Sequence, residues 1–242
     1  MPPQRPEREI VIVLGSKPGA RLPAVRATHV LAVNSAVEIG LEYRKRYGSR
    51  VIAVVNGGVL RETGYIQDSL RTSQPDEVVV VGGDVRELPE FIRTDLGVAD
   101  AQIHTLTNYE RYRLMRETLG MQTMLVIAAH MRLRGARYVL THALPDILGA
   151  RDMRWMSRST GIDAIMYCMR RFAGREIVAA GIGLTGGAHF TGKGGFTEKT
   201  AIGDRITMRH WPRAERERLA TTDDTLSMLG DVPLWRGDTF SF

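Results

Sequence analysis

Cysteine is almost missing from this chain: Cys168 is the only one among 242 residues, so no intramolecular disulfide can form. It falls inside an apolar helical pattern, which suits a small buried side chain better than a nucleophile. Long apolar runs are missing too. No stretch approaches the ~20 residues that span a bilayer, and the proline- and arginine-containing N-terminus has no secretion-signal core. A cytoplasmic protein is expected, with peripheral association at the inner face of a membrane left open. Two phosphate-binding spacings are absent, G-x-x-x-x-G-K-[ST] and G-x-G-x-x-G, which argues against a P-loop kinase and an NAD enzyme. There is no Asp-x-Asp pair and no His/Cys cluster at metal spacing, so no metal or other cofactor is expected. Asp223 and Asp224 read as a solvated pair.

Lysine is scarce as well: Lys17, Lys45, Lys193 and Lys199 are the only four among 33 basic residues. The formal charge of +6 suits an anionic partner, whether nucleotide sugar, acidic glycan, lipid headgroup or nucleic acid. No basic run is interleaved with aromatic residues, so nucleic acid is not expected. With 43% apolar and 25% charged residues, the chain has the composition of a globular protein large enough for one substantial core.

What is present is a series of short apolar runs, each ending at glycine or asparagine. Residues 10–13 (IVIV) predict a buried strand that Gly15, Ser16, Pro18 and Gly19 interrupt. A glycine-rich loop at the carboxyl edge of such a strand can approach an anion closely, and Lys17 and Arg21 add charge; the same loop also reads as a turn without a ligand. Residues 29–33 predict a second strand ending at Asn34. A helix over 36–47 follows, stopped by Gly48. Residues 51–55 predict a third strand, running into Asn56. Each asparagine can donate to a phosphate or sugar, or simply serve as a turn residue.

The run 77–81 (EVVVV) implies a strand buried on both faces, as in a parallel sheet covered by helices. Residues 102–106 add a further short strand. A helical pattern over 109–134 carries Met121, Met124, Leu125, Ala128 and Ala129, a stripe expected to pack in the core. Then helix, glycine and strand recur: a helix to 134, Gly135 and a strand at 138–140 leading to His142; a helix over 157–172, Gly174 and a strand at 177–180. This repetition predicts a doubly wound, mostly parallel α/β sheet with helices on both faces, a Rossmann-like fold. The glycine-rich segment 184–200, with His189 among its glycines, predicts a lid. Residues 1–8 read as an unordered lead-in, 9–212 as one α/β domain including the lid, and 213–242 as a tail. Trp235, Phe240 and Phe242 could pin that tail to the body or to another subunit, so self-association also stays open.

The order of these landmarks resembles the bacterial sialyltransferases of glycosyltransferase family 42, and more loosely the sialyltransferase-like superfamily with its flagellin-glycosylation and pterin-pyrophosphokinase relatives. The residues that carry the resemblance are the Gly15-Ser16-Lys17-Pro18-Gly19 loop, Asn34, Asn56, the helix start Ser159-Thr160-Gly161, and the strand end Ala180-Gly181-Ile182. They span about residues 10–205. The resemblance implies a sialyltransferase-like variant of the GT-A fold. It implies an inverting, metal-independent transfer of sialic acid, Kdo or a related ulosonate from a CMP-activated donor to a surface glycan or lipid-linked acceptor, in polysaccharide biosynthesis. It assigns Gly15, Ser16, Lys17, Asn34, Asn56, Ser159, Thr160 and Gly161 to the nucleotide and His189 to general base, with His142 as the fallback. The family's lid carries tyrosines, whereas this lid has none, and Thr118-Leu119-Gly120 offers a second place for the hydroxyl-glycine motif. An ATP- and magnesium-dependent enzyme of the pterin-pyrophosphokinase type and a non-catalytic nucleotide- or glycan-binding module are the alternatives.

Overall fold

The computed structural model describes residues 9–82, 86–98, 100–136, 158–188 and 195–241. The N-terminal lead-in, the expected strand at 138–140, His142, His189, Lys193 and Phe242 lie outside the described residues. In chain order the first half comprises β1 (Ile10–Leu14), β2 (Arg21–Pro23), β3 (His29–Val33), α1 (Val37–Tyr47), β4 (Arg50–Asn56), α2 (Gly57–Leu60), α3 (Gly64–Ser73), β5 (Glu77–Val81), α4 (Leu88–Thr94) and β6 (Gln102–Leu106). The second comprises α5 (Asn108–Leu119), α6 (Gln122–Arg134), α7 (Thr160–Arg171), β7 (Glu176–Ala180), β8 (Gly187–Ala188), β9 (Gly195–Phe196), α8 (Glu198–Arg209), α9 (Arg213–Arg216), β10 (Leu219–Thr221), α10 (Asp224–Gly230) and β11 (Thr239–Ser241).

Among the described residues seven strands form one sheet in the order β10-β7-β1-β3-β4-β5-β6, and every neighbouring pair is parallel. The apolar runs explain this directly. In β1, Val11 and Val13 face one layer while Ile12 and Leu14 face the other, and all four are buried. A strand covered on both sides must be apolar at every position. One layer is filled by α5, α6 and α7 through residues such as Met115, Val126 and Ile165. The other is filled by α1, α3 and α4 through Ile39, Leu70 and Ile92. Each of these side chains stabilises the fold by about 1.5–3 kcal/mol relative to exposure. The doubly wound α/β architecture expected from the sequence is therefore the architecture found, with the main sheet wholly parallel.

Strand order reverses at β1: β3 to β6 build outward on one side, β7 and β10 on the other. Beyond their ends β1 and β7 remain bonded, Gly15 N–H donating to the Ala180 carbonyl at 2.8 Å and Lys17 N–H to the Gly181 carbonyl at 3.1 Å. A Cβ on Gly15 would lie 2.2 Å from the Gly181 oxygen. Gly15 is thus required by the contact between two loops, and its N–H is already committed.

Several expectations need correction. The helix over 109–134 is two helices, broken at Gly120 (φ +56°). The first begins with a capping box: Thr107 Oγ1 accepts from the Glu110 N–H and Glu110 Oε2 from the Thr107 N–H. That Thr-x-x-Glu signal was available in the sequence. The methionine stripe expected in the core faces outward instead: Met121, Met124 and Leu125 are exposed, and Val126 and Ile127 make the buried side. Because α6 carries apolar residues on both faces and polar Thr123 and His130 on its buried one, its periodicity could not tell the two faces apart.

Residues 213–242, expected as a tail, add β10 to the main sheet beside β7 and pair β11 antiparallel with β2. Phe240 packs against Tyr43 with ring centroids 5.7 Å apart, beneath the Arg46 guanidinium at 4.2 Å. Strands of three residues are too short to announce themselves by alternation. Part of the expected lid also belongs to regular structure. Gly187 and Ala188 pair with Phe196 and Gly195, and α8 starts at Glu198, capped by Thr197 Oγ1. Among the described residues no helix is long and apolar enough to cross a membrane.

The glycine loop can be tested by stability alone. Gly15→Ala should cost about 3 kcal/mol in urea unfolding, the upper part of the range for forced overpacking. Gly19→Ala, where φ is +66° but nothing lies within 4 Å, should cost only roughly 1 kcal/mol, the left-handed penalty.

Candidate functional site

A cavity of about 210 Å³ opens at the carboxyl edge of the sheet, at the point where strand order reverses. In open α/β sheets this is the expected ligand crevice, because the strands diverge there and leave space between their loops. Three walls enclose it. The β1 loop contributes residues 15–18, the segment after β7 contributes residues 181–183 and 185–187, and the N-terminus of α7 contributes Ser159 and Gly161; Val33 also lines it. Residues more than 140 positions apart in sequence, Gly15 and Ser159, thus meet at one site.

The α7 wall is a helix N-terminus. Ser159 caps the helix, its Oγ accepting from the Ile162 N–H at 3.2 Å. The first N–H groups of a helix lack intrahelical partners and carry the positive end of its dipole, so those of Thr160 and Gly161 can meet an anion. Gly161 keeps the wall low: a Cβ there would come 3.1 Å from Ile182 Cγ2. The competing motif at Thr118 is excluded as a helix start, since Thr118 Oγ1 donates to the Leu114 carbonyl near the end of α5.

Behind this wall lies a buried charged cluster that sequence reading did not find. Ser159 N–H donates to Asp204 Oδ1 of α8 at 2.8 Å. Asp163, in the first turn of α7, faces Arg158 at 3.0 Å and is also bound by Arg111, whose Nε lies 3.0 Å away. Asp163, Asp204 and Arg158 are all buried. Burial pushes the Asp204 pKa up to about 7, against the Ser159 hydrogen bonds that favour its carboxylate. The only sequence signal was the presence of charged residues next to the helix start. Nothing local says that α8 returns to meet them.

Lys17 is held rather than free. Its Nζ lies 2.6 Å from Asp223 Oδ2. Asp223 in turn caps α10, Oδ1 accepting from the N–H groups of Thr225 and Leu226 and from the Thr225 hydroxyl. Burial opposes ionisation of Asp223, but Lys17, Thr225 and the Leu226 N–H outweigh it and hold its pKa below the usual carboxylate value. The reading of Asp223-Asp224 as a solvated pair is corrected for Asp223, which is buried. Lys17 still lines the cavity, but an incoming phosphate would have to share it with Asp223.

The two asparagines serve structure with their side-chain oxygens. Asn34 (φ +51°) accepts from the Asn56 N–H at 3.2 Å, and Asn56 caps α2 by accepting from Gly58 and Val59 N–H. Neither lines the cavity, although Val33 beside Asn34 does. Of the expected nucleotide contacts, Gly15, Ser16, Lys17, Ser159 and Gly161 therefore share one wall system, with Thr160 between the last two. His189 and His142 lie outside the described residues, the former just past Gly187 and Ala188. The wall after β7 is tied to α8: Arg205 donates to the Leu184 carbonyl at 3.1 Å and pairs with Glu198, which accepts from Gly186 N–H. Cys168 is fully buried, and burial pushes its thiol pKa up, as suits packing rather than nucleophilic attack.

Among the described residues no group of three or more His, Cys, Asp or Glu could hold a metal ion. Comparison of the chain with protein-family models, with curated proteins and with solved structures found no match.

The two aspartates should behave oppositely with pH. The folded Asp204 pKa lies above its unfolded value, so its stabilising contribution is full below about pH 4 and is lost as pH rises through about 7. Asp204→Asn, which keeps an acceptor for Ser159, should remove that loss, measured as urea midpoints across this range. For Asp223 the folded pKa is depressed, so its contribution is present above the unfolded value and lost as pH falls through the folded one. Asp223→Ala should cost about 1–2 kcal/mol through the lost cap, and Asp223→Asn distinctly less because asparagine also caps.

Proposed function

We propose that this cavity binds the phosphate of a nucleotide-activated sugar and that the protein is a glycosyltransferase. The observation that carries the reading is the meeting of the β1 loop with the N-terminus of α7 at the reversal of strand order. A monophosphate leaving group needs donors where its negative charge develops. Thr160 and Gly161 N–H supply them, the helix dipole adds to them, and the Lys17 ammonium stands at the cavity's edge. With glycine at positions 161, 181, 183 and 187 around the cavity, a ligand can approach the backbone without a Cβ in the way.

The donor that fits best with the sequence resemblance is a CMP-activated sialic acid, Kdo or related ulosonate. Its anomeric carbon supports positive charge as the bond to the phosphate oxygen breaks. The acceptor hydroxyl oxygen forms the new bond from the opposite face, which inverts the configuration, and CMP departs with the electron pair. The acceptor proton passes to His189, whose ordinary pKa of about 6.5 suits a base at neutral pH. No step in this scheme requires a metal. The acceptor is a surface glycan or lipid-linked precursor.

Thermal unfolding in the presence of CMP, CDP, ATP and NAD, each with and without Mg²⁺, tests the assignment. CMP alone should stabilise the fold, by about 2.7 kcal/mol at a hundredfold excess over Kd. Stabilisation only by ATP with Mg²⁺ would instead assign a pyrophosphokinase-type enzyme. Gly161→Val, whose branched side chain would press on Ile182 and Ser159 at the cavity wall, should weaken CMP at least about tenfold, or 1.4 kcal/mol. His189→Ala should retain CMP binding and lose transfer; unchanged turnover would remove His189 from the mechanism.

A further inference from the structure

Both cations of the segment that follows β1 are matched by acids. Lys17 Nζ lies 2.6 Å from Asp223 Oδ2, and Arg21, at the start of β2, lies 3.4 Å from Asp224. Lys17 is the one charged side chain among the described residues that line the cavity. The charge that an incoming phosphate meets there is therefore set by the pair and not by the lysine alone.

Neither member of the pair is free to leave the other. Asp223 is buried, and its second oxygen, Oδ1, accepts from the N–H groups of Thr225 and Leu226 and from the Thr225 hydroxyl. Swinging Oδ2 away from Lys17 would break this cap of α10. Against burial, which raises it, Lys17, Thr225 and the Leu226 N–H hold the Asp223 pKa below the usual carboxylate value, so the residue is charged at neutral pH. Lys17 is confined as well. Its N–H donates to the Gly181 carbonyl at 3.1 Å, and its side chain runs against Gly183, where a Cβ would lie 3.2 Å from both Lys17 Cδ and Nζ and 3.1 Å from Thr225 Oγ1. Leu184 N–H donates to the same Thr225 hydroxyl at 3.1 Å. Three segments thus fix the pair at the cavity's edge, and an anion that enters adds to it without displacing Asp223.

We propose that Asp223 is a specificity-determining residue: its carboxylate, held against Lys17, limits the negative charge that the cavity accepts, so that a phosphodiester with one charge is favoured over a phosphomonoester or a diphosphate. This role rests on the reading of the cavity as a phosphate site and deepens it. A nucleotide sugar with a single phosphate is such a diester. The nucleoside monophosphate released by transfer gains a second charge near neutral pH, because the second ionisation of a phosphate monoester lies at about pH 6. Asp223 then favours the donor over the product.

Titration calorimetry of the full chain at about pH 8 with the methyl ester of CMP, with CMP and with CDP, which carry successively more charge, tests this. Asp223→Asn keeps a cap for α10 and should bind CMP about tenfold tighter than the parent, with a smaller gain for the methyl ester and a larger one for CDP. Lys17→Gln should weaken CMP about tenfold by leaving Asp223 unopposed, and the double variant, neutral at both positions, should return close to the parent. Equal or weaker binding of CMP by Asp223→Asn, a gain of the same size for all three ligands, or a double variant as weak as Lys17→Gln overturns the proposal. If the parent and Asp223→Asn bind none of the nucleotides, the glycosyltransferase reading fails, and the role of Asp223 stands only if Asp223→Asn binds inorganic pyrophosphate more tightly than the parent.

Discussion

The close contact between the loops after β1 and β7 governs everything built above the sheet. Two adjacent parallel strands normally separate at the point where their connections leave in opposite directions. Here they stay bonded for one step longer, through Gly15 to Ala180 and Lys17 to Gly181. Only glycine permits the approach, since Gly181 has φ +67° and a Cβ on either residue would strike the other loop. The cavity opens between these joined loops and the N-terminus of α7.

Helix α8 completes the arrangement by holding two of the three walls. Asp204 accepts from the backbone of Ser159, and Arg205 with Glu198 fastens the segment after β7. The aspartate is buried beside Arg158 and Asp163, where isolated charges would be costly and must be paired or neutralised. A helix that follows the glycine-rich segment is thereby linked to both sides of the cavity that segment borders. Lys17 and Asp223 tie the β1 loop to α10 in the same manner.

Much of this was legible in the sequence, for physical reasons that differ by element. The strands β1, β3, β4, β5 and β7 were readable because burial on both faces demands uninterrupted apolar runs, and Gly48 marked a helix end because it sits at φ +68°. The residue 15–18 loop lines one cavity with Ser159 and Gly161, a meeting that no local pattern in the chain announces. Asn34 and Asn56 were recognisable as strand ends, but not as partners of each other. The orientation of α6 was not legible at all, since a helix apolar on both sides offers no periodic clue. The short strands β2, β10 and β11 were invisible because pairing across the chain, not local propensity, makes them strands.

By itself the sequence determined the α/β class, the parallel sheet and the glycine-interrupted strand ends, because these follow from local apolar pattern and backbone freedom. Tertiary structure alone decided the use of each polar group. It committed Gly15 N–H to Ala180, bound Lys17 to Asp223, buried Asp204 beneath Ser159 and left the methionines of α6 outside. Such assignments depend on which distant segment arrives within hydrogen-bonding range, and range in space is set by how the whole chain packs. The opening loop thus keeps its place at the cavity, and the first turn of α7 supplies another of its walls.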